Sequence, residues 1–282
     1  MNPGASQSAS RGTDPVKIGF HLAPQHGAYP AMRKRWLEAE ELGVDSLYTS
    51  DHFFAQSVDV EAADGVRPPA SSGANFEATA IESAMAATTS RPQIGCLVHA
   101  IGFRNPNLLA DFARTVDHIS GGRFILGLGT GYLQNDYEEY GFDWTPQRSR
   151  SLELAAKVPI ILARLEKLNP PPVSKIPILI ATMGAEIGLR VVAAHADIWH
   201  LFGRQDQILE KIDDLKHHCK QVGRDFSEIE ICTWYTPGML NINITPDEII
   251  DLGIRNIIHI QTGPDWDLGV LRELLQWRDA LK

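Results

Sequence analysis

The chain has 282 residues, of which 44% are hydrophobic and 22% charged, with a formal net charge of −9. That size and composition fit one globular α/β domain with a large core. No apolar stretch approaches the roughly 20 residues of a membrane-spanning helix, and no basic block offers the footprint of a nucleic-acid binder, so a small molecule is the expected partner.

In chain order, residues 1–14, MNPGASQSASRGTD, are small and polar with no apolar secretory core. They read as a disordered tail on a cytoplasmic protein, leaving 15–282 as the folded domain. Apolar runs of strand length follow at 16–22, 44–48, 94–101, 124–128, 176–180, 196–202, 229–235 and 254–260. Helical patterns alternate with them at 30–42, 76–88, 106–118, 148–168, 185–195, 205–222, 246–252 and 267–281. Pro30, Pro106 and Pro246 stand at helix starts, where a missing N–H costs nothing; Thr245 is placed to cap the seventh helix. Gly43 and Gly253 stand where a helix end needs a left-handed residue. Strict alternation predicts a parallel sheet, and eight units in one domain predict a closed (β/α)8 TIM barrel rather than an open doubly wound sheet.

A barrel places its chemistry at the C-terminal ends of the strands. Those ends hold His21, Asp51, His52, Val98, His99, the segment 129–135, Thr182, Met183, Trp234, Tyr235, Gln261 and Thr262. The connections 53–75 and 129–147 are long, and the first has the length of a mobile lid over a pocket. His52 suits a general acid or base near neutral pH; a plain Asp-His turn is the alternative reading of the same pair.

The strand FILGLG is apolar throughout, so the residues free to meet a ligand are those just beyond it, Thr130, Gly131, Tyr132 and Asn135. Its glycines are spaced G-x-G-x-G, not as the dinucleotide fingerprint G-x-G-x-x-G, and are expected to let the backbone approach a flat ring. Thr182, Met183 and Gly184 lie between a strand and a helix, a generic anion site. His21 and His26 do not form the H-x-H of zinc barrels, so no metal is expected. Cys96, Cys219 and Cys232 form neither an even set nor a C-x-x-C pair and are expected to be reduced thiols.

The TSDHFF at 49–54, FRNPNLLADFARTVDHISGGR at 103–123, GLGTGYLQN at 127–135 and IPILI at 176–180 together resemble the bacterial luciferase-like superfamily. The likeness is strongest to its deazaflavin hydride transferases, which use coenzyme F420. The resemblance implies that His52 faces the substrate and transfers a proton, and that Asp51 supplies a carboxylate beside the cofactor. It implies a non-prolyl cis peptide at Leu97-Val98, with Leu97, Val98 and Ala100 supporting the ring. Thr130, Gly131, Tyr132, Asn135, Thr182, Met183 and Gly184 complete the implied cofactor site, and a homodimer is the implied assembly.

Two departures stand out. Tyr132 replaces an acidic residue of the family's glucose-6-phosphate dehydrogenases, which argues against that substrate, and Gly184 stands where relatives carry a run of glycines. An FMN-dependent monooxygenase on the same fold, and a cofactor-binding homologue without catalysis, are the alternatives.

Overall fold

The computed structural model describes residues 15–56, 73–183, 186–237 and 244–281. The expected tail, the middle of the expected lid and Gly184 lie outside the described residues. The first half of the chain runs β1 (Lys17–Leu22), α1 (Tyr29–Leu42), β2 (Ser46–Thr49), α2 (Ala78–Thr88), β3 (Gln93–Cys96), β4 (His99–Ala100), α3 (Pro106–Ser120), β5 (Phe124–Gly129), α4 (Gln134–Glu138) and α5 (Gln147–Leu165). The second half runs β6 (Ile178–Ala181), α6 (Glu186–His195), β7 (Ile198–His200), α7 (Gln205–Val222), β8 (Glu230–Trp234), α8 (Pro246–Asp251), β9 (Asn256–Gln261) and α9 (Gly269–Ala280).

Every strand pairing is parallel; β1 pairs with both β2 and β9, and β3 pairs with β5, so the sheet closes on itself. The expected single strand 94–101 is instead split into β3 and β4 around a cis peptide at Leu97-Val98, and both pieces pair with β5. Counted as one stave, they complete an eight-stranded barrel of the expected kind. The short α4 interrupts the expected loop 129–147.

Period-2 alternation sorts each strand into two faces. Ile18, Phe20 and Leu22 of β1 join the outer core under the helices, with Trp36, Leu47, Leu126 and Trp199. Tyr48, Ile125, Leu179, Ile198, Cys232 and Ile258 point inward and fill the barrel. By the same alternation His21, Ser50, His200 and Trp234 point inward at the C-terminal mouth. At the other end, Lys17 Nζ lies 2.5 Å from Glu230 Oε2, and Asn256 Nδ2 donates to Glu230 Oε1 at 2.6 Å, a paired polar plug. Gly43 (φ 94°) closes α1, Gly253 (φ 85°) follows α8, and Thr245 forms a capping box with Glu248, as expected from their positions.

The glycines of β5 have a different use from the expected one. A Cβ on Gly127 would strike the carbonyl oxygen of Cys96, and one on Gly129 would meet Val98 Cγ2 at 2.5 Å. They make room for the protein's own third stave. This yields a prediction with two arms. Gly127→Ala and Gly129→Ala should each cost about 1–3 kcal/mol by overpacking. Adding Val98→Ala should recover most of the Gly129→Ala loss but none of the Gly127→Ala loss, because the second obstacle is main chain. Urea midpoints of the four variants decide; equal rescue of both would refute this packing.

Candidate active site

Asp51 follows β2 with its side chain 1% exposed, and Arg104, in the turn between β4 and α3, grips both of its oxygens. Nη1 donates to Oδ2 at 2.5 Å and Nη2 to Oδ1 at 2.8 Å, the two-pronged arrangement that suits a guanidinium and a carboxylate. The Ala100 N–H donates to Oδ2 at 3.2 Å, which ties the end of β2 to β4. Arg104 Nη2 also donates to Glu77 Oε1 at 2.7 Å, and Glu77 caps α2.

Behind this pair, buried His99 holds Nδ1 3.5 Å from Asp51 Oδ2. Its Nε2 lies 2.9 Å from Oε2 of buried Glu82, a charge contact without hydrogen-bond geometry. Burial by itself would raise the Asp51 carboxyl; His99 and the Arg104 guanidinium outweigh it and hold the group at about 2. Burial would likewise lower His99, but the carboxylates of Glu82 and Asp51 push it up to about 9.

His52 comes next and turns to the mouth, 17% exposed. Its Nδ1 is 2.7 Å from Oδ2 of Asp136, a buried residue on α4, whose Oδ1 accepts from the Phe53 N–H at 3.1 Å. With Nδ1 engaged by Asp136, Nε2 is left for another partner. Tyr132 stands edge-on to the imidazole, with ring centroids 5.2 Å apart, and its hydroxyl donates to Gln56 Oε1 at 3.2 Å. Asn75 Nδ2 donates to the His52 carbonyl at 2.7 Å, so the described ends of the long connection after β2 brace the same residue.

Aromatic packing joins the two long connections. Phe53 stacks on Tyr140 at 4.0 Å and meets Phe103 at 4.7 Å, and Phe103 meets Tyr137 at 4.7 Å. The Tyr137 hydroxyl donates to the Thr130 carbonyl at 2.9 Å, and Gly131 (φ 68°) leaves it room, since a Cβ there would strike that oxygen.

Of the expected site residues, His52, Val98, Thr130, Gly131, Tyr132 and Asn135 come together on the side of the mouth formed by β2, β4, β5 and α4. Val98 and Asn135 are half-buried, and Thr130 Oγ1 accepts from Gln147 Nε2 at 3.0 Å. Asp51 lies beneath, with its oxygens engaged by protein groups. Leu97 is buried in the barrel interior, and Ala100 is buried against Phe103 and Tyr137. Thr182 follows β6, with its carbonyl accepting from Trp199 Nε1 at 3.2 Å. Met183 is exposed and lines a depression with Leu201, Phe202 and Gln207.

The sequence reading missed Asp136, although it adjoins Asn135, and missed Arg104 and Glu82. Among the described residues no group of three or more His, Cys, Asp or Glu side chains is placed to hold a metal ion, and the three cysteines are free and buried. No helix among them is long and apolar enough to cross a membrane.

Residues 15–238 match the model of the luciferase-like monooxygenase family. The chain belongs to that family. Relatives within it differ in chemistry. The F420-dependent glucose-6-phosphate dehydrogenase of Amycolatopsis mediterranei (strain U-32) is 30% identical over 148 residues, 52% of this chain and 40% of the relative. The 4-hydroxyprotoasukamycin monooxygenase of Streptomyces nodosus subsp. asukaensis is 26% identical over 226 residues, 71% of this chain and 56% of the relative. The chain thus spans about half the length of the curated relatives it matches. An F420-dependent secondary alcohol dehydrogenase, solved with an F420-acetone adduct, shares the fold at a TM-score of 0.72 and 15% identity, covering 92% of this chain and 98% of its own.

The buried ion pair makes a stability prediction. Arg104→Leu leaves the buried Asp51 carboxylate without its guanidinium and should cost about 3–5 kcal/mol at neutral pH. The double variant Arg104→Leu with Asp51→Asn should recover most of that loss. Urea unfolding measures both, and a single variant as stable as the parent would show that the pair contributes nothing.

Proposed function

We propose that this luciferase-like protein is an F420-dependent oxidoreductase acting on a small molecule. The observation that carries the reading is His52 at the barrel mouth, with Nδ1 fixed by buried Asp136 and Nε2 left to exchange one proton. The deazaflavin, when bound, supplies or accepts the hydride at its C5 carbon.

The remaining work falls to this chain's own groups. Val98 and the backbone of 129–131 would support one face of the ring, with Tyr132 and Asn135 beside it. The Ser50 hydroxyl is buried and has no hydrogen-bond partner among the described residues, which fits a polar ring edge. Asp51 acts at one remove, by fixing β4 and the turn that carries His52. The aromatic packing of Phe53, Phe103, Tyr137 and Tyr140 excludes water from that side.

Thr182, at the end of β6, would face the anionic tail. There the fit is poorer, because α6 carries Glu186 in its first turn, paired with Arg190 at 2.5 Å, where a bare helix start would favour a phosphate. The F420-dependent relatives support the deazaflavin. The longer match to a monooxygenase supports a flavin reading of the same mouth, in which the cofactor activates oxygen.

Proton transfer by a placed side chain contributes typically 10²- to 10⁴-fold. His52→Ala should therefore lower the single-turnover rate of reduced F420 with an accepted substrate by at least about a hundredfold. F420 affinity should stay within a few-fold, while the melting temperature should fall, because buried Asp136 loses a partner. Asp136→Asn keeps a hydrogen-bonding group but loses the charge, so its rate should fall between those of the parent and His52→Ala. A near-parental rate in His52→Ala would remove this residue from the mechanism.

A further inference from the structure

The residues assigned to the cofactor occupy β2, β4, β5, β6 and α4. The opposite side of the mouth, formed by β1, β7 and β8, carries polar atoms that this assignment leaves unused. Nε2 of His200 and the indole Nε1 of Trp234 are buried without a hydrogen-bond partner among the described residues, and the His21 ring is buried with only the Thr49 main chain acting on it as a hydrogen-bond partner. His21 and His200 are each 2% exposed, and strand alternation turns both inward at the mouth. A buried polar group left unpaired costs about 1–3 kcal/mol, so these nitrogens on one side of the mouth describe a surface made for a polar ligand group.

The chemistry of that group follows from its surroundings. His200 Nδ1 is already engaged with Cys232 Sγ at 3.4 Å, leaving Nε2 for the ligand. His200 and Trp234 are 4.9 Å apart between ring centroids, and Phe202 stacks on Trp234 at 4.8 Å with planes 22° apart, so a flat apolar wall adjoins the polar atoms. Burial lowers both imidazoles to about 3, so each is neutral and offers one donor and one acceptor. Among the described residues, the only other titratable side chain acting on His21 is His52, and the only one acting on His200 is His21; no lysine or arginine takes part.

We infer that His21, His200 and Trp234 form the substrate subsite of the mouth, which takes the uncharged ketone or alcohol group of a substrate with an aromatic or apolar body. A phosphorylated sugar fits these surroundings poorly, since among the described residues no lysine or arginine acts on either imidazole to meet its dianion. The inference rests on the oxidoreductase reading, because it takes the opposite side of the mouth as the cofactor's.

The test uses acetophenone as an uncharged aromatic ketone and phenyl phosphate as its anionic counterpart, with the imidazole ¹⁵N resonances of the full-length protein as the readout. Acetophenone should shift the His21 and His200 resonances in a saturable way, and phenyl phosphate should leave them in place. His21→Phe and His200→Phe keep the volume and remove the hydrogen bonds, so each should weaken acetophenone binding about tenfold. Resonances unmoved by acetophenone, or moved as readily by phenyl phosphate, would overturn the subsite even if neither variant folds. Because these titrations contain no cofactor, a protein that binds acetophenone as described yet fails to bind F420 loses the cofactor reading alone.

Discussion

The grip of Arg104 on Asp51 is the constraint on which the rest of the mouth depends. A carboxylate with 1% exposure is tolerable only because a fixed guanidinium, an amide N–H and a histidine surround it. Those partners come from the turn before α3, from β4 and, through Glu77 and Glu82, from α2. The pair thereby fastens the end of β2 to the outer half of the broken third stave. His52 leaves β2 directly after this anchor, so the direction in which its ring enters the mouth is set by a buried charge pair.

The mouth built on that anchor has three physically distinct parts. Its rim is a titratable pair, His52 and Asp136, made from two connections that meet only in three dimensions. One wall is aromatic, from Phe53 to Tyr137, and keeps water from the rim. The far side is polar but uncharged, because burial keeps His21 and His200 neutral. Among the described residues no lysine or arginine acts on His21 or His200, and such surroundings suit an uncharged partner.

Most of the barrel was legible in the sequence, because parallel strands buried on both faces leave apolar runs that periodicity detects. The helix starts at Pro106 and Pro246 and the turn at Gly43 were readable from backbone chemistry alone. The third stave was not, since an apolar run through Leu97 and Val98 carries no local mark of the break in its backbone; only family resemblance pointed there. Five-residue α4 is too short to show a helical period. Asp136 was hidden for another reason: its partner His52 lies 84 positions away, and no local pattern reports a pairing made across the barrel rim. The glycines Gly127 and Gly129 were correctly singled out as sites of close approach, but what approaches them is Cys96 and Val98.

The central claim is that this mouth is built for a deazaflavin. Side-by-side fluorescence titrations of the purified protein with F420 and with FMN test it most directly. The account predicts that F420 binds at least about ten times more tightly, a difference of about 1.4 kcal/mol. Equal affinities, or a preference for FMN, would contradict it.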